Sequence, residues 1–309
     1  MTRVLVTGAN GFVCRNIVFT LLAAGCSVIA VDRAFDPRLA EAWAHADVTL
    51  VLSDLTQLPD LNADFVIHGA AITADPAAGQ TPEDHFRANV NPALMLLDWA
   101  RDHAVQRLVF ISSSAVFRGS PVANLTEDTP VATDGLLYAV EKYSVELLIA
   151  ALKQAYQRDV VAIRLGNIYG AHEFVRATRP RVSLVARLIH EALTTGHVSI
   201  PVESSPTDWT YAGDVGRALL ALLEKPTLSH ALYHLTSGQA LSAADILAAL
   251  RAALPETNLT ADTTAAAPFR GSMRPDRLLA DTGFDHWTDF RAGLSQTVDW
   301  FKAQMEHSS

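Results

Sequence analysis

The sequence predicts an α/β fold in which a doubly wound parallel sheet is joined to a smaller C-terminal α/β substrate lobe. Three observations support this prediction. A short apolar run, Val4 to Val6, leads through Gly8 and Gly11 directly into an apolar helical pattern. Further short apolar runs alternate with helical patterns along the chain, which is typical of parallel strands linked by crossover helices. The 309 residues are 50% hydrophobic and 18% charged, enough apolar material for a large core.

The turn after the first strand has the features of a dinucleotide site. Gly8 permits a tight turn, and Gly11 lets a pyrophosphate approach the backbone with no side chain in the way. Unpaired amides at the start of the next helix favour an anion. Asn10, Phe12 and Val13 belong to the same turn and are expected to contact the cofactor.

The residues at the ends of the next two strands are predicted to bind the adenosine half of the dinucleotide. A second strand ends in Asp32, placed to accept both hydroxyls of an adenosine ribose. Arg33 could meet a 2′-phosphate, but Asp32 would repel it, so we expect NAD and regard NADP as the less favoured cofactor. A third strand, 48–52, ends at Asp54 and Leu55, which could hold the adenine.

Cys14 stands where the third glycine of this fingerprint normally allows close packing of helix on strand. A helix N-terminus can make a thiol reactive. We favour the simpler interpretation that Cys14 is a small buried residue that shifts the helix slightly outward, because the position faces packed backbone.

A fourth strand, 65–71, ends in small residues, and Ala70 and Ala71 there would let a flat cofactor lie against the backbone. Thr73, just beyond, is expected to face the substrate. His68 could serve as a catalytic base, but a hydrogen bond to a neighbouring loop is its favoured role. A long helix is predicted from about Pro82 to Ala104.

A fifth strand, 107–111, ends in three serines, and the helix that follows opens with Tyr138 and Lys142. These two residues are four apart and share one helical face. An ammonium beside a phenol lowers a pKa that is normally about 10. We therefore expect Tyr138 to act as acid and base near neutral pH, with Ser114 bonding the same substrate oxygen. An ordinary surface pair would have the same spacing, but the upstream dinucleotide site favours catalysis.

The composition restricts the classes of partner that the protein is expected to bind. The net charge is −9 with no basic stripe, so nucleic acid is not expected. Two cysteines are too few for a disulfide framework or a thiolate metal site, and no metal is expected. The first strand begins near residue 4 and no apolar run reaches about 20 residues, so we expect no signal peptide, no membrane contact and a cytoplasmic protein.

These motifs resemble the extended short-chain dehydrogenase/reductases, the branch often called NAD-dependent epimerase/dehydratases. The matching segments are 7–12, Asp32, 54–55, 68–71, Asn89, 112–114, Tyr138 with Lys142, 164–170 and 208–215. The resemblance implies a Rossmann-type NAD domain, with Asn89 near the cofactor. It also implies that Tyr138 is the catalytic acid/base, that Lys142 binds the nicotinamide ribose and tunes Tyr138, and that Ser114 holds the substrate oxygen.

Three departures from the family pattern bear on the substrate. The dehydratase branch carries Thr-Asp-Glu where this chain has Ser113-Ser114-Ala115. The arginine that grips the diphosphate of nucleotide sugars is replaced by Thr207, and the usual tyrosine after Ser-x-x-Val is Phe117. These changes weaken a nucleotide-sugar interpretation without excluding it.

We expect an NAD-binding domain over 1–170 with returns at about 207–234, and a substrate lobe over 171–206 and 235–309. Substrate contacts are expected from Ser113, Asn167, Arg176 and Arg181. Arginines crowd the region after residue 171. They suit a small anionic sugar or sugar acid, although a solvated surface would look the same.

The first hypothesis is an NAD-dependent dehydrogenase acting on a secondary alcohol of such a substrate. The alternative is a nucleotide-sugar 4-epimerase with tightly bound NAD, and a more remote one is a non-catalytic NAD-binding scaffold. The resemblance also implies a homodimer formed by two helices of each copy. Leu94, Leu97, Val145, Leu148 and Ile149 are candidates for the shared face, although an ordinary core helix would have the same pattern.

Overall fold

A seven-stranded sheet forms the centre of the molecule in the computed structural model, which describes residues 1–56, 58–76, 79–175, 179–201, 206–265 and 269–306. Its strands, numbered along the chain, lie in the order β11-β7-β5-β4-β1-β2-β3, and all of their pairings are parallel. This confirms the predicted α/β class with a Rossmann-like sheet.

Within the described residues the strands are β1 Arg3–Thr7, β2 Ser27–Asp32, β3 Val48–Leu52, β4 Phe65–His68, β5 Arg107–Ser113, β6 Asn124–Leu125, β7 Val160–Leu165, β8 Asn167–Tyr169, β9 His197–Pro201, β10 Thr207–Tyr211, β11 Leu232–Leu235, β12 Ala240–Leu241, β13 Thr260–Thr264 and β14 Ser272–Met273. The α-helices are α1 Phe12–Ala23, α2 Pro37–Trp43, α3 Pro82–Asp102, α4 Leu137–Tyr156, α5 Leu184–Thr195, α6 Ala212–Leu223, α7 Ala243–Ala253, α8 Asp276–Thr282 and α9 Phe290–Glu306. A short 3-10 helix, Ser114–Phe117, follows β5 directly.

The alternation of side chains along the strands divides the core in two. Val4 and Val6 of β1 pack with α1 and α6 on one face of the sheet, whereas Leu5 packs with α3 and α4 on the other. All three residues are fully buried. This is the pattern expected when helices cover both faces of a parallel sheet.

A separate apolar cluster lies beyond the carboxyl ends of the strands. It gathers Tyr169 and Trp209 with residues of α5, α7 and α9. β10 pairs with β8 and β12 in a three-stranded sheet and not with the main sheet, while α6 and β11 return to the main core. The division into two domains at the predicted boundaries stays a prediction.

Pro37 begins α2, because Asp36 caps the helix and the missing amide of proline costs nothing in the first turn. One expectation needs correction. Leu97, Val145 and Ile149 do not form an outer face, because they are buried in the core between the sheet and α3 and α4. Leu94 is exposed, and Leu148 is partly buried.

Cys14 packs against the segment that follows β4. A Cβ added at Gly69 would lie 2.1 Å from the Cys14 Sγ atom and 3.0 Å from Cδ1 of Ile111. The glycine missing from the turn is therefore compensated by a glycine on the neighbouring strand, which makes room for the thiol.

None of the helices among the described residues is both long and apolar enough to cross a lipid bilayer.

Replacing Gly69 with alanine should lower the free energy of unfolding by about 1–3 kcal/mol, because a methyl group there overpacks the contact with Cys14. The double variant Gly69→Ala/Cys14→Ala should recover part of that loss, measured by urea unfolding against Cys14→Ala alone. If Gly69→Ala costs as much stability in the Cys14→Ala background as in the wild type, the thiol does not determine the packing at this contact.

Candidate active site

The main cleft opens at the carboxyl ends of the parallel strands, where ligands of open α/β sheets bind. Its volume is about 640 Å³. Its described lining includes Gly8, Gly11, Phe12, Val13, Ala71, Thr73, Ser112, Ser113, Ser114, Arg118, Tyr138, Lys142, Asn167, Arg179, Arg181, Asp208 and Arg270. Segments that are far apart in sequence, from residue 8 to residue 270, therefore meet in one cavity.

The glycine turn has the shape that a pyrophosphate needs. Gly8 has a φ of +71°, and a Cβ added to it would lie 2.7 Å from the backbone of Ala70. The Gly11 amide donates to the Gly8 carbonyl at 2.8 Å, and α1 starts at Phe12 with no side chain capping it. The open amides of α1 and the absence of side chains at both glycines fit a dinucleotide phosphate.

Asp32 lies at the end of β2, beside this turn. Its two carboxylate oxygens accept from the backbone amides of Asn10 at 3.0 Å and Arg33 at 2.7 Å. These bonds hold the carboxylate where β2 ends, which suits a ribose hydroxyl.

Hydrogen bonds from nearby residues of the chain set the position of the Asp54 carboxylate. Hydrogen bonds from Thr56, with a smaller contribution from the Arg33 charge, lower the pKa of Asp54. Leu55 is buried with a φ of +66°, and its amide donates to the Ser53 hydroxyl at 3.0 Å.

The catalytic candidates converge at the ends of β5 and α4. Ser114 lines the cleft as the first residue of the 3-10 helix, and its expected catalytic role stays a prediction. The Ser113 hydroxyl accepts from the Ala115 amide at 3.1 Å, and a hydrogen bond from Ser113 lowers the pKa of Tyr138, so Ser113 also lies beside the phenol. The pattern Ser113-x-x-Val116 carried the signal that could have found this serine.

The electrostatics differ from the expectation of a lowered tyrosine pKa. Burial raises the pKa of Tyr138 to about 12, against the smaller opposing effects of Arg179 and the Ser113 hydrogen bond. The Lys142 ammonium lies 5.6 Å from the Tyr138 ring centroid and donates to the Ile111 carbonyl at 2.9 Å. Burial lowers the pKa of Lys142 to about 8. Helical spacing brought the two residues together, but their burial was not visible in the sequence.

Two other reactive side chains near the cleft have structural roles here. His68 shares a 2.7 Å hydrogen bond with the Thr7 hydroxyl on the neighbouring strand, and burial lowers the pKa of His68 to about 3. Burial likewise raises the pKa of Cys14 to about 12, which keeps the thiol protonated at neutral pH.

The remaining predicted residues divide between cofactor and substrate sides. Ala70 contacts the Gly8 turn, Ala71 and Thr73 line the cleft, and Asn89 is buried behind them. Asn167 donates to the Asp208 carbonyl at 3.0 Å. Arg181 also lines the cleft, whereas Arg176 lies outside the described residues.

Arg179, one of the arginines that crowd the region after residue 171, and Arg270 both reach the cleft. The Arg179 guanidinium donates to buried Glu173 at 2.6 Å and lies 5.3 Å from the centroid of the Phe12 ring in the glycine turn. Pairing of β14 with β6 brings Arg270 to the same cleft as Arg118. Burial and the charge of Arg118 both lower the pKa of Arg270.

A cleft of this kind defines a class of protein, namely α/β enzymes that bind a dinucleotide across the carboxyl ends of their strands. The family is more specific. The model of the NAD dependent epimerase/dehydratase family matches residues 4–234, and the chain belongs to that family. The predictions of an enzyme of the extended short-chain dehydrogenase/reductase type, with NAD as cofactor, are confirmed at the level of the family.

Relatives span several reactions. A dTDP-4-dehydro-6-deoxy-D-allose reductase of a Streptomyces species is 28% identical, and the match covers 97% of this chain and 96% of that protein. A UDP-glucose 4-epimerase of Corynebacterium glutamicum is 27% identical over 79% of this chain and 78% of its own. The solved UDP-glucose-4-epimerase of Stenotrophomonas maltophila, with bound NAD and formylated UDP-arabinopyranose, superposes with a TM-score of 0.85 at 21% identity and full coverage of both chains.

The lowered pKa of Lys142 should appear as pH-dependent stability. The pKa is about 8 in the folded protein against an ordinary 10.5, so the unfolded chain binds more protons between these values. The free energy of unfolding, relative to a Lys142→Met variant, should therefore rise by up to about 3 kcal/mol as pH increases across this window. Chemical unfolding at several pH values measures it, with Lys302→Met as a surface control. Parallel curves for the wild type and Lys142→Met would contradict the expected burial of this charge.

Proposed function

We propose that the protein is an NAD-dependent oxidoreductase that interconverts a secondary alcohol and a ketone on a small, anionic, sugar-derived substrate. The observation that carries this proposal is the convergence of Ser113, Tyr138 and Lys142 in the same cleft as the glycine turn and the arginines. When bound, NAD supplies the hydride acceptor.

The proton chemistry follows from the contacts of Tyr138. In alcohol oxidation its phenolate removes the hydroxyl proton of the substrate, and in the reverse direction its phenol returns one. Ser113 holds the same substrate oxygen by hydrogen bonding. Lys142 acts as the positive charge that favours the phenolate when its ammonium turns from the Ile111 carbonyl toward the phenol and the cofactor ribose.

An anionic substrate is supported by the charge of the cleft. The whole chain has a net charge of −9, yet Arg118, Arg179, Arg181 and Arg270 all line this cavity. The carboxylate of Asp208 in the wall is buried, accepts from Thr236 at 2.6 Å and the Met273 amide at 2.9 Å, and has its pKa raised by burial. The cleft therefore concentrates positive potential within an acidic protein, which favours a carboxylate or phosphate.

The relatives support one further candidate, a nucleotide-sugar 4-epimerase. The Corynebacterium relative is named as an epimerase, and in that case the arginines would hold the diphosphate. The Streptomyces relative, which matches nearly the whole chain, is a reductase and supports net transfer of hydride. Thr207 at the start of β10 lines the cleft where a guanidinium was expected for a nucleotide sugar, so net oxidation or reduction is the preferred function.

Replacing Tyr138 with phenylalanine should reduce turnover by about 10²–10⁴-fold, because the acid/base is lost. The measurement is NADH absorbance with NAD and a panel of sugars, sugar acids and nucleotide sugars, with product analysis. Ser113→Ala should also lose activity, and Tyr143→Phe on the same helix is the matched control.

Net NADH from a small sugar or sugar acid supports the dehydrogenase. Conversion of a nucleotide sugar with no net NADH would replace it with the epimerase. A Tyr138→Phe variant that stays active would remove Tyr138 from the mechanism.

We further infer that the protein forms a homodimer through α3 and α4. Leu94 and Met95 on α3 and Val140 and Leu147 on α4 are exposed apolar side chains, and Leu147 is 55% accessible. The two helices pack against each other, so these residues belong to neighbouring surfaces that a second copy would cover.

The charge introduced by Leu147→Glu should convert the dimer to a monomer, measured by sedimentation or by light scattering during gel filtration. Leu279→Glu, at a similarly exposed site on α8, is the control and should leave the dimer intact. A wild type that is monomeric at micromolar concentration would refute the dimer.

A further inference from the structure

A buried carboxylate lies between the two catalytic candidates of α4. Glu141 immediately precedes Lys142, follows Tyr138 by three positions, and has no exposed surface. Its Oε2 atom accepts from the Asn89 side-chain amide at 2.6 Å, and its Oε1 atom lies 2.7 Å from Nδ1 of His85. A buried charge of this kind is costly unless it is paired and hydrogen-bonded.

The contacts of His85 determine how many protons the pair holds. Its Nε2 atom lies 2.9 Å from the Ala74 carbonyl oxygen, which can only accept, so Nε2 carries a hydrogen. The 2.7 Å contact with Glu141 then needs a second proton between nitrogen and oxygen, since two lone pairs would repel. His85 and Glu141 together are therefore electrically neutral and share one proton.

Asn89 extends this pair to the wall of the cleft. Its side-chain oxygen accepts from the Ile72 amide at 2.8 Å, and its amide also donates to the Ile72 carbonyl at 2.9 Å. Ile72 lies between Ala71 and Thr73, which line the cleft, and Ala74 follows them. The backbone of residues 72–74 is thus hydrogen-bonded to His85 and Asn89 of α3. These two side chains in turn contact Glu141 of α4.

We propose that His85 and Glu141 are positioning residues that hold the cofactor-side segment 72–74 in register with the helix that carries Tyr138 and Lys142. This inference rests on the proposed roles of Tyr138 and Lys142. The couple acts through those two residues and through the backbone of the segment, and it touches neither substrate nor cofactor.

The couple also sets part of the electrostatic environment of the site. Burial raises the pKa of Tyr138 and lowers the pKa of Lys142, and the carboxylate end of the couple has a smaller effect that raises both. The other titratable or charged groups that face this region are Cys14 on α1, His68 on β4, His85 on α3, Glu146 on α4 and Arg179 beyond β8.

The test uses Glu141→Gln, His85→Asn, His85→Ala and the double variant His85→Ala/Glu141→Gln. Asparagine can keep a donor toward Glu141 while it loses the bond to Ala74. His103→Gln is the control, because His103 lies at the end of the same helix and bonds the Trp99 carbonyl. NAD affinity by calorimetry, the pH profile of NADH formation and thermal unfolding are measured for each.

His85→Ala and Glu141→Gln should each weaken NAD binding about tenfold, which corresponds to 1.4 kcal/mol. His85→Asn should retain part of the affinity, and the double variant should lose no more than the weaker-binding single variant, because both belong to one network. Glu141→Gln should also shift the pH profile of NADH formation, because the carboxylate and the proton that it shares with His85 no longer lie beside Tyr138 and Lys142.

Reduced thermal stability with unchanged NAD affinity and an unchanged pH profile would overturn the proposal, since the couple would then be structural only. Losses that add in the double variant would overturn the claim that the pair acts as a unit. If no substrate is found, the proposed function fails, but the NAD affinities still decide this inference.

Discussion

The rest of the site depends on the close approach of two backbones, the turn after β1 and the segment after β4. At Gly8 a single added carbon would be 2.7 Å from Ala70, and at Gly69 it would be 2.1 Å from the Cys14 thiol. Only residues without a Cβ allow this approach. It brings the open amides of α1 next to the small residues that follow His68, and it forms the floor over which a dinucleotide can lie.

Behind this floor, α4 carries two buried carboxylates that face in different directions. Glu141 pairs with His85 and Asn89, whereas Glu146 accepts from Ser112 at 2.5 Å and from Nε and Nη2 of the Arg164 guanidinium. Each carboxylate has several hydrogen-bond donors, as buried charges require. The two networks hold Lys142 between them, so the position of the ammonium is set by α3, β5 and β7 together.

The front of the cleft carries positively charged side chains, in contrast to the carboxylates behind it. Arginines from three separate segments line it in a protein with a net negative charge, and part of their positive charge is balanced locally, as in the Arg179–Glu173 pair. Membership of the NAD dependent epimerase/dehydratase family supports NAD as the cofactor of this protein. In the proposed function the substrate contacts this front wall, where Thr207 and Phe117 replace the arginine and the tyrosine that are usual in nucleotide-sugar members of the family.

The sequence by itself determined the parallel sheet, the glycine turn, Asp32 at the end of β2 and the shared helical face of Tyr138 and Lys142, because these follow from periodicity and short spacings. Tertiary structure alone decided that Ser113 lies beside the phenol, since the 3-10 turn that follows β5 begins at the next residue. It also buries Lys142 and half-buries Tyr138, and burial raises the pKa of Tyr138 where the sequence predicted a lowered one. The His85–Glu141 contact joins residues 56 positions apart. No local pattern can reveal such a contact, because it forms only when α3 packs on α4.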